Sequence, residues 1–272
     1  MIGQAKNIAY LSRLRELPHF LIALGARGSG RKTLIRQAFA ERGVECLVID
    51  GKVDAIRAAI EVATNGNGRY AFLLDSDDFS NTSAGALLKI TEECPSNAWF
   101  ALVAPSRQAV LQTLQSRATI IEMEPYSQAD FAEYAKTLAQ YGATEADVAR
   151  AKEHCETFGD AFRLIAMPDK GEGIVAFAKL IVESAPNVPL HNALKIPMRV
   201  DLKGTDPEKW PADLLLTIVL HVSGGVNPPT KESLRVLKAT NWALGLLQNK
   251  SINKQMLMDA WVMKMNGVRP WN

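Results

Sequence analysis

Cysteine is scarce in this chain. Cys46, Cys94 and Cys155 are the only three in 272 residues, far apart and never in C-x-x-C spacing. That argues against a disulfide framework and against a zinc site, so no zinc is expected and the thiols read as buried or idle. The four histidines, His19, His154, His191 and His221, show no metal-ligand spacing and read as structural or exposed. No apolar run approaches the roughly 18–20 residues that span a bilayer, and no basic-then-apolar leader opens the sequence, so a cytoplasmic location is expected. Internal repeats and low-complexity tracts are also missing. What is present, 47% apolar and 22% charged residues, suits an ordinary soluble protein of one large or two to three smaller compact domains.

The net charge of +2 conceals an uneven distribution. Residues 1–43 carry eight Lys or Arg against Glu16 and Glu41, and residues 230–272 carry seven against Glu232 and Asp259. Between them, residues 121–160 hold nine acids against three bases. Basic ends suit a polyanion such as nucleic acid; solvated helix faces would produce the same runs.

Apolar stretches of strand length alternate with helical spacing through the first half. Phe20–Leu24, Cys46–Asp50, Tyr70–Leu74, Trp99–Val103 and Thr119–Ile121 are the strand candidates, with helical patterns after the first two. Strands this continuously apolar, with helices between them, imply a parallel sheet covered on both faces. The expected class is α/β, a three-layer core closing near Met123. Beyond Pro125 the strands stop. Helical patterns over Asp130–Tyr141, Ala146–Thr157 and Gly159–Ala166 make a small helical unit, Pro168-Asp169-Lys170-Gly171 reads as a joint, and the remainder reads as all-α. The expected domains are 1–124, 125–168 and 169–272. Trp242, Met256, Met258, Trp261, Met263 and Met265 fall largely at helical intervals, which suits packing or an oligomer interface.

The stretch Gly25 to Leu34, GARGSGRKTL, sits where the first strand meets the first helical pattern. A phosphate loop of the form G-x-x-x-x-G-K-[ST] uses glycines to turn backbone N–H groups inward, a lysine on the outer phosphates and a hydroxyl on Mg²⁺. Counting from Gly25, the second glycine is Gly30, Arg31 takes the lysine's place and Lys32 the hydroxyl's. Sliding by one restores Lys32 and Thr33 but puts Arg31 on the glycine's place. Gly25, Gly28 and Gly30 are also open to a plainer reading, a strand-to-helix turn. Arg27, Arg31, Lys32 and Arg36 crowd a helix N-terminus, which favours anions in either case. A second strand, Phe72-Leu73-Leu74-Asp75, delivers an acid to the carboxyl edge of the sheet, where ligands bind in open α/β folds. Asp75 is therefore the candidate for Mg²⁺. Ser76 follows it where a water-polarising Glu is needed, and a serine hydroxyl cannot accept that proton at neutral pH.

Residues 73–127 resemble the part of AAA+ clamp-loader subunits that joins the Walker B strand to the Ser-Arg-Cys motif. The matching pieces are LLDSDDFS, the helix ALLKITEE followed by C-P-S-N, the strand WFALV and the element QSRA. The resemblance implies an AAA+ P-loop core, a helical lid and an all-α collar. It implies that Arg117, in Gln115-Ser116-Arg117-Ala118, is an arginine finger reaching the γ-phosphate in a neighbouring subunit, although Ala118 replaces the usual cysteine. It makes Arg163, in Gly159-Asp160-Ala161-Phe162-Arg163, the lid arginine that senses nucleotide. Taken without that context, Arg117 reads as a surface salt-bridge residue and Arg163 as an ordinary lid-helix charge.

Departures from the pattern cluster on the home pocket: Arg31, Lys32, Ser76 and Ala104-Pro105 in place of a polar residue on the fourth strand. A subunit with a damaged pocket and an intact finger resembles the delta-prime, or stator, subunit of bacterial-type loaders. Those often carry a four-cysteine zinc insertion that three scattered cysteines cannot supply, which points to a compact viral or divergent relative. The partners implied are other loader subunits in a hetero-oligomer, a sliding clamp and primer–template DNA, with ATP or ADP and Mg²⁺ as cofactors if the loop is filled. Two rivals stand beside this expectation. One is an active ATPase in which Asp77 or Asp78 positions the water; the other is a non-enzymatic AAA+ adaptor in another DNA-processing complex.

Overall fold

A computed structural model describes residues 1–66, 68–76, 79–92, 95–167, 169, 171–184, 186–202, 209–247 and 252–268. Asp77, Asp78 and Cys94, and the Pro168 and Lys170 of the expected joint, lie outside the described residues. The chain divides into two compact units, one of residues 1–137 with 157–159, the other of 138–156 with 160–272.

The first unit is a parallel sheet between helices. Its strands are β1 (Phe20–Leu24), β2 (Glu45–Val48), β3 (Tyr70–Asp75), β4 (Ala98–Ala104) and β5 (Thr119–Glu122), in the order β2-β3-β4-β1-β5 with every neighbouring pair parallel. Every residue of β1 and β4 is buried, which explains their unbroken apolar sequence: a central strand covered on both faces has no position for a polar side chain. Side chains alternate between faces along each strand. Phe20, Ile22, Phe72, Leu74, Phe100 and Leu102 face a core shared with Ile56 and Ala59 of α3 (Val53–Asn65) and Leu87 of α4 (Asn81–Glu92). Leu21, Ala23, Leu73, Trp99 and Val103 face the other, with Leu11 of α1 (Ala5–Arg13) and Leu34, Ile35 and Phe39 of α2 (Arg31–Ala40). Trp99 is 6% exposed and donates its Nε1–H to the Leu17 carbonyl at 3.1 Å. The three-layer α/β core expected from the apolar runs is what forms.

Helix α1 is an addition to the sequence reading. A buried glutamine fixes it: Gln4 Nε2 donates to the Glu124 carbonyl at 2.8 Å, and the Glu124 N–H returns a bond to Gln4 Oε1 at 3.0 Å.

After the four-residue α5 (Gln112–Gln115), the chain is mainly helical: α6 (Gln128–Gln140), α7 (Glu145–His154), α8 (Phe158–Ile165), α9 (Glu172–Ser184), the single turn α10 (Leu190–Ala193), α11 (Ala212–Gly224), α12 (Lys231–Leu247) and α13 (Lys254–Met265). In the second unit α11 is nearly all apolar because it is central; Leu214, Leu215, Leu216, Ile218 and Val219 are each fully buried. Trp261 is fully buried and donates Nε1–H to Thr240 Oγ1 at 3.0 Å, satisfying both polar atoms in an apolar site. Met258 and Met265 are also fully buried, whereas Met256 is exposed and Trp242 lies under the Lys264 ammonium. A two-residue parallel pair, β6 (Val200–Asp201) with β7 (Trp210–Pro211), adds to the expected helices; two residues are too few for any sequence period to show.

Candidate functional site

The glycine loop begins where β1 ends. Gly25 N–H donates to the Ala104 carbonyl at 3.1 Å, continuing the ladder one residue past the strand. Gly28 (φ +81°) and Gly30 (φ +83°) both lie in the left-handed region, Gly30 at the N-cap of α2, so both turns need glycine. A Cβ on Gly25 would come 2.7 Å from Met123 Cβ and 2.9 Å from Ser29 Oγ. Ser29 is 5% exposed and its hydroxyl has no hydrogen-bond partner among the described residues. Arg31 is buried on the first turn of α2; Arg27, Lys32, Thr33 and Arg36 are exposed.

Asp75 arrives from the carboxyl end of β3, and the structure brings it to Lys32: Lys32 Nζ lies 2.8 Å from Asp75 Oδ2. Side-chain exposure is 48% for the lysine and 18% for the acid. Ala104, in the place of the fourth-strand polar residue, is fully buried and offers no side-chain polar atom to the loop.

Three further residues hold the loop from outside it, and sequence reasoning did not single them out. Tyr126 donates its hydroxyl to the Ser29 carbonyl at 2.8 Å; burial, with Tyr134 and Asp130 nearby, pushes the phenol up to about 12. Gly159 N–H donates to the Gly28 carbonyl at 3.1 Å, and a Cβ there would collide with Gly28 Cα. Phe158, beside it, stacks between Tyr126 (ring centroids 3.7 Å apart) and Tyr134 (4.1 Å), with Phe131 edge-on at 5.1 Å. Met1 is the third, its terminal carbon 2.6 Å from where a Gly30 Cβ would stand. The glycine directly before Asp160-Ala161-Phe162-Arg163 was the one available signal.

Arg117 lies between α5 and β5 and is exposed. Its Nη2 meets Glu92 Oε1 at 2.7 Å and its Nη1 donates to the Thr113 carbonyl at 3.1 Å. The register of β5 on β1 pairs Thr119 with Leu21 and Glu122 with Leu24. Arg117 therefore sits at the amino edge of the sheet and the glycine loop at the carboxyl edge, about 15 Å or more apart at ~3.3 Å per residue. A guanidinium on that edge cannot serve its own loop.

Arg163 belongs to the second unit. It makes a two-pronged pair with Asp213, Nη1 to Oδ2 at 2.9 Å and Nη2 to Oδ1 at 2.8 Å, and touches Asp160 Oδ1 at 3.3 Å. Burial works against its charge, but the bonds and charges of Asp213 and Asp160 outweigh burial and hold the proton more tightly than usual.

A glycine-rich turn between β1 and α2, an acid at the end of β3 and five parallel strands in the order β2-β3-β4-β1-β5 make an AAA+-type fold. Two single-residue mutants of the RuvB protein of Thermotoga maritima share the fold: one is 20% identical, covering 88% of this chain and 96% of its own with a TM-score of 0.56, the other 20% identical over 87% and 95% with 0.55. Residues 49–127 match the family described as DNA polymerase III, delta subunit. The DNA polymerase III subunit delta' of Escherichia coli is 29% identical over 85 residues, 31% of this chain and 25% of that protein's length. The chain thus matches about a quarter of its curated relative, and residues 49–127, the part that matches the family, carry Asp75 and Arg117. Over residues 49–127 the chain is similar to that family.

Among the described residues no helix is long and apolar enough to cross a membrane, and no group of three or more His, Cys, Asp or Glu is placed to hold a metal. Mg²⁺ at the glycine loop would need the hydroxyl that follows the lysine and a free carboxylate at the strand end. Counted from Gly25, Lys32 stands in the hydroxyl's place, and in either register it holds the carboxylate, so these residues do not fit the ion.

Proposed function

We propose that this chain is a subunit of a DNA sliding-clamp loader, one that does not hydrolyse nucleotide in its own degenerate pocket and donates Arg117 to the nucleotide of a neighbouring ATPase subunit. The observation that carries this reading is the placement of Arg117, exposed on the sheet edge opposite the glycine loop and turned toward Glu92 rather than toward any group of its own pocket. A guanidinium supplied in trans offsets charge developing on the transferred phosphoryl group. The Glu92 carboxylate holds it in place until a stronger anion, the γ-phosphate, takes over.

The home pocket supports the same division. Ser76 offers no general base, Ala104 no polar contact, and Lys32 is committed to Asp75. In this reading residues 1–124 are the core, 125–168 the lid in which Arg163 senses the nucleotide state, and 169–272 the collar through which subunits assemble. Exposed Arg27 and Arg36 near the loop track the backbone of primer–template DNA through phosphate contacts, so binding weakens steeply with salt.

The test is ATP hydrolysis by a mixture of this chain with a clamp-loader ATPase subunit. Arg117→Ala is expected to cut the rate by about a hundredfold or more, as loss of an arginine finger does, while the partner's nucleotide affinity stays within about twofold. Unchanged turnover of the mixture would defeat the proposal. Turnover by the chain alone, abolished by Asp75→Ala, would favour an active ATPase instead.

A further inference from the structure

The ion pair at the floor of the loop joins two positions that a metal ion ordinarily bridges. In the G-x-x-x-x-G-K-[ST] pattern the final hydroxyl and the strand-end acid both serve Mg²⁺. Counted from Gly25, the final position is Lys32, and its ammonium touches Asp75 Oδ2 at 2.8 Å. A cation already lies at hydrogen-bond distance from the carboxylate, and a divalent ion would have to displace it against like-charge repulsion. Thr33, one residue on, is exposed. The Ser29 hydroxyl, 5% exposed and inside the turn 2.9 Å from the place of a Gly25 Cβ, has no partner among the described residues. A buried donor in that position points to an oxyanion.

We propose that the Lys32 ammonium takes the place of the divalent cation, so that the loop holds a phosphate group, free or on a nucleotide, without Mg²⁺. This rests on reading residues 25–33 as a degenerate nucleotide loop. Lys32 neutralises Asp75, and the Ser29 hydroxyl and the first N–H groups of α2 are left for the anion. The charge balance inverts the usual role of the acid. In a metal-dependent loop Asp75 recruits the cation that binds phosphate; here it competes with phosphate for Lys32.

The test uses the full chain without any partner, so its outcome is independent of the Arg117→Ala result. Calorimetric titrations with ADP and with pyrophosphate are run in excess Mg²⁺ and in EDTA. The wild-type affinity is expected to change less than about twofold between the two. Asp75→Asn is expected to bind about three- to tenfold more tightly in EDTA, the effect of removing one negative charge about 5 Å from a phosphate in a partly solvated site. Lys32→Thr is expected to make binding depend on Mg²⁺ by about tenfold. ADP binding tighter than pyrophosphate identifies a nucleotide, equal affinities a bare phosphate, and both support the metal-free mode. A wild-type requirement for Mg²⁺, weaker binding by Asp75→Asn, or no binding of either probe would overturn it. A Mn²⁺ titration of the wild-type chain followed by electron paramagnetic resonance gives a readout that needs no variant to fold: uptake at the loop refutes the proposal and none supports it.

Discussion

Gly159→Ala sets two opposed effects against each other, and their sizes decide the sign. Alanine is the better helix former, and near the start of α8 it would add at most about 1 kcal/mol. Against that, the new methyl would overlap Gly28 Cα and come within 3.2 Å of the Gly28 carbonyl oxygen and 3.3 Å of its carbon. Backbone cannot rotate away as a side chain can, and Phe158, clamped between Tyr126 and Tyr134, prevents α8 from backing off. Overpacking of this kind costs roughly 1–3 kcal/mol, and parting the strands of contact sacrifices the 3.1 Å bond from Gly159 N–H to Gly28, worth about 1 kcal/mol. The net expectation is a loss of about 1–3 kcal/mol, or roughly 3–10 °C in Tm, read by circular dichroism. Gly245→Ala, in α12 with nothing within 4 Å of the new methyl, is the control and should gain about 0.5–1 kcal/mol. If Gly159→Ala melts at or above the wild-type temperature, the close approach of residue 159 to the loop is wrong.

Asp213→Ala leaves the half-buried Arg163, among the described residues, with the 3.3 Å contact to Asp160 and is expected to cost the second unit about 1–3 kcal/mol in urea unfolding, since a charged group loses its better partner; a change under about 0.5 kcal/mol would mean that solvent replaces the pair. His154, 3% exposed, faces Glu153, Lys179, His221 and Arg150, and burial holds its imidazole below the ordinary value of 6.5. The unfolded chain therefore takes up a proton that the folded chain refuses, so stability is complete above about 6.5 and falls as the pH drops toward the folded value. His154→Leu should flatten that part of the pH–stability profile, and an unchanged slope would assign it to other groups.

The sheet was legible because burial on both faces leaves its mark on every residue of β1 and β4 and on the four inner residues of β3. The loop was legible because glycine spacing is a backbone requirement. Partnerships across long separations were not. Lys32 stood out only as a misplaced residue; that it pairs with Asp75, more than forty positions on, depends on β1 and β3 ending at the same edge of the sheet. Gly159 carried no pattern of its own, since its need for a missing side chain is imposed by Gly28. Helix α1 escaped notice because a nine-residue amphipathic segment is short, and the glutamine that anchors it looks like any polar residue. His154 belonged to a set expected to be structural or exposed; its burial follows from packing that no periodicity records.

Among the described residues two indoles are buried, Trp99 on β4 and Trp261, bonded to Thr240, and they fall in different units. The chain thus carries an intrinsic optical probe in each half. With the remaining tryptophans changed to phenylalanine, the red shift of one emission band follows the loss of the strand layer and that of the other the loosening of the helical array. Such spectra would tell whether the halves come apart together or in sequence.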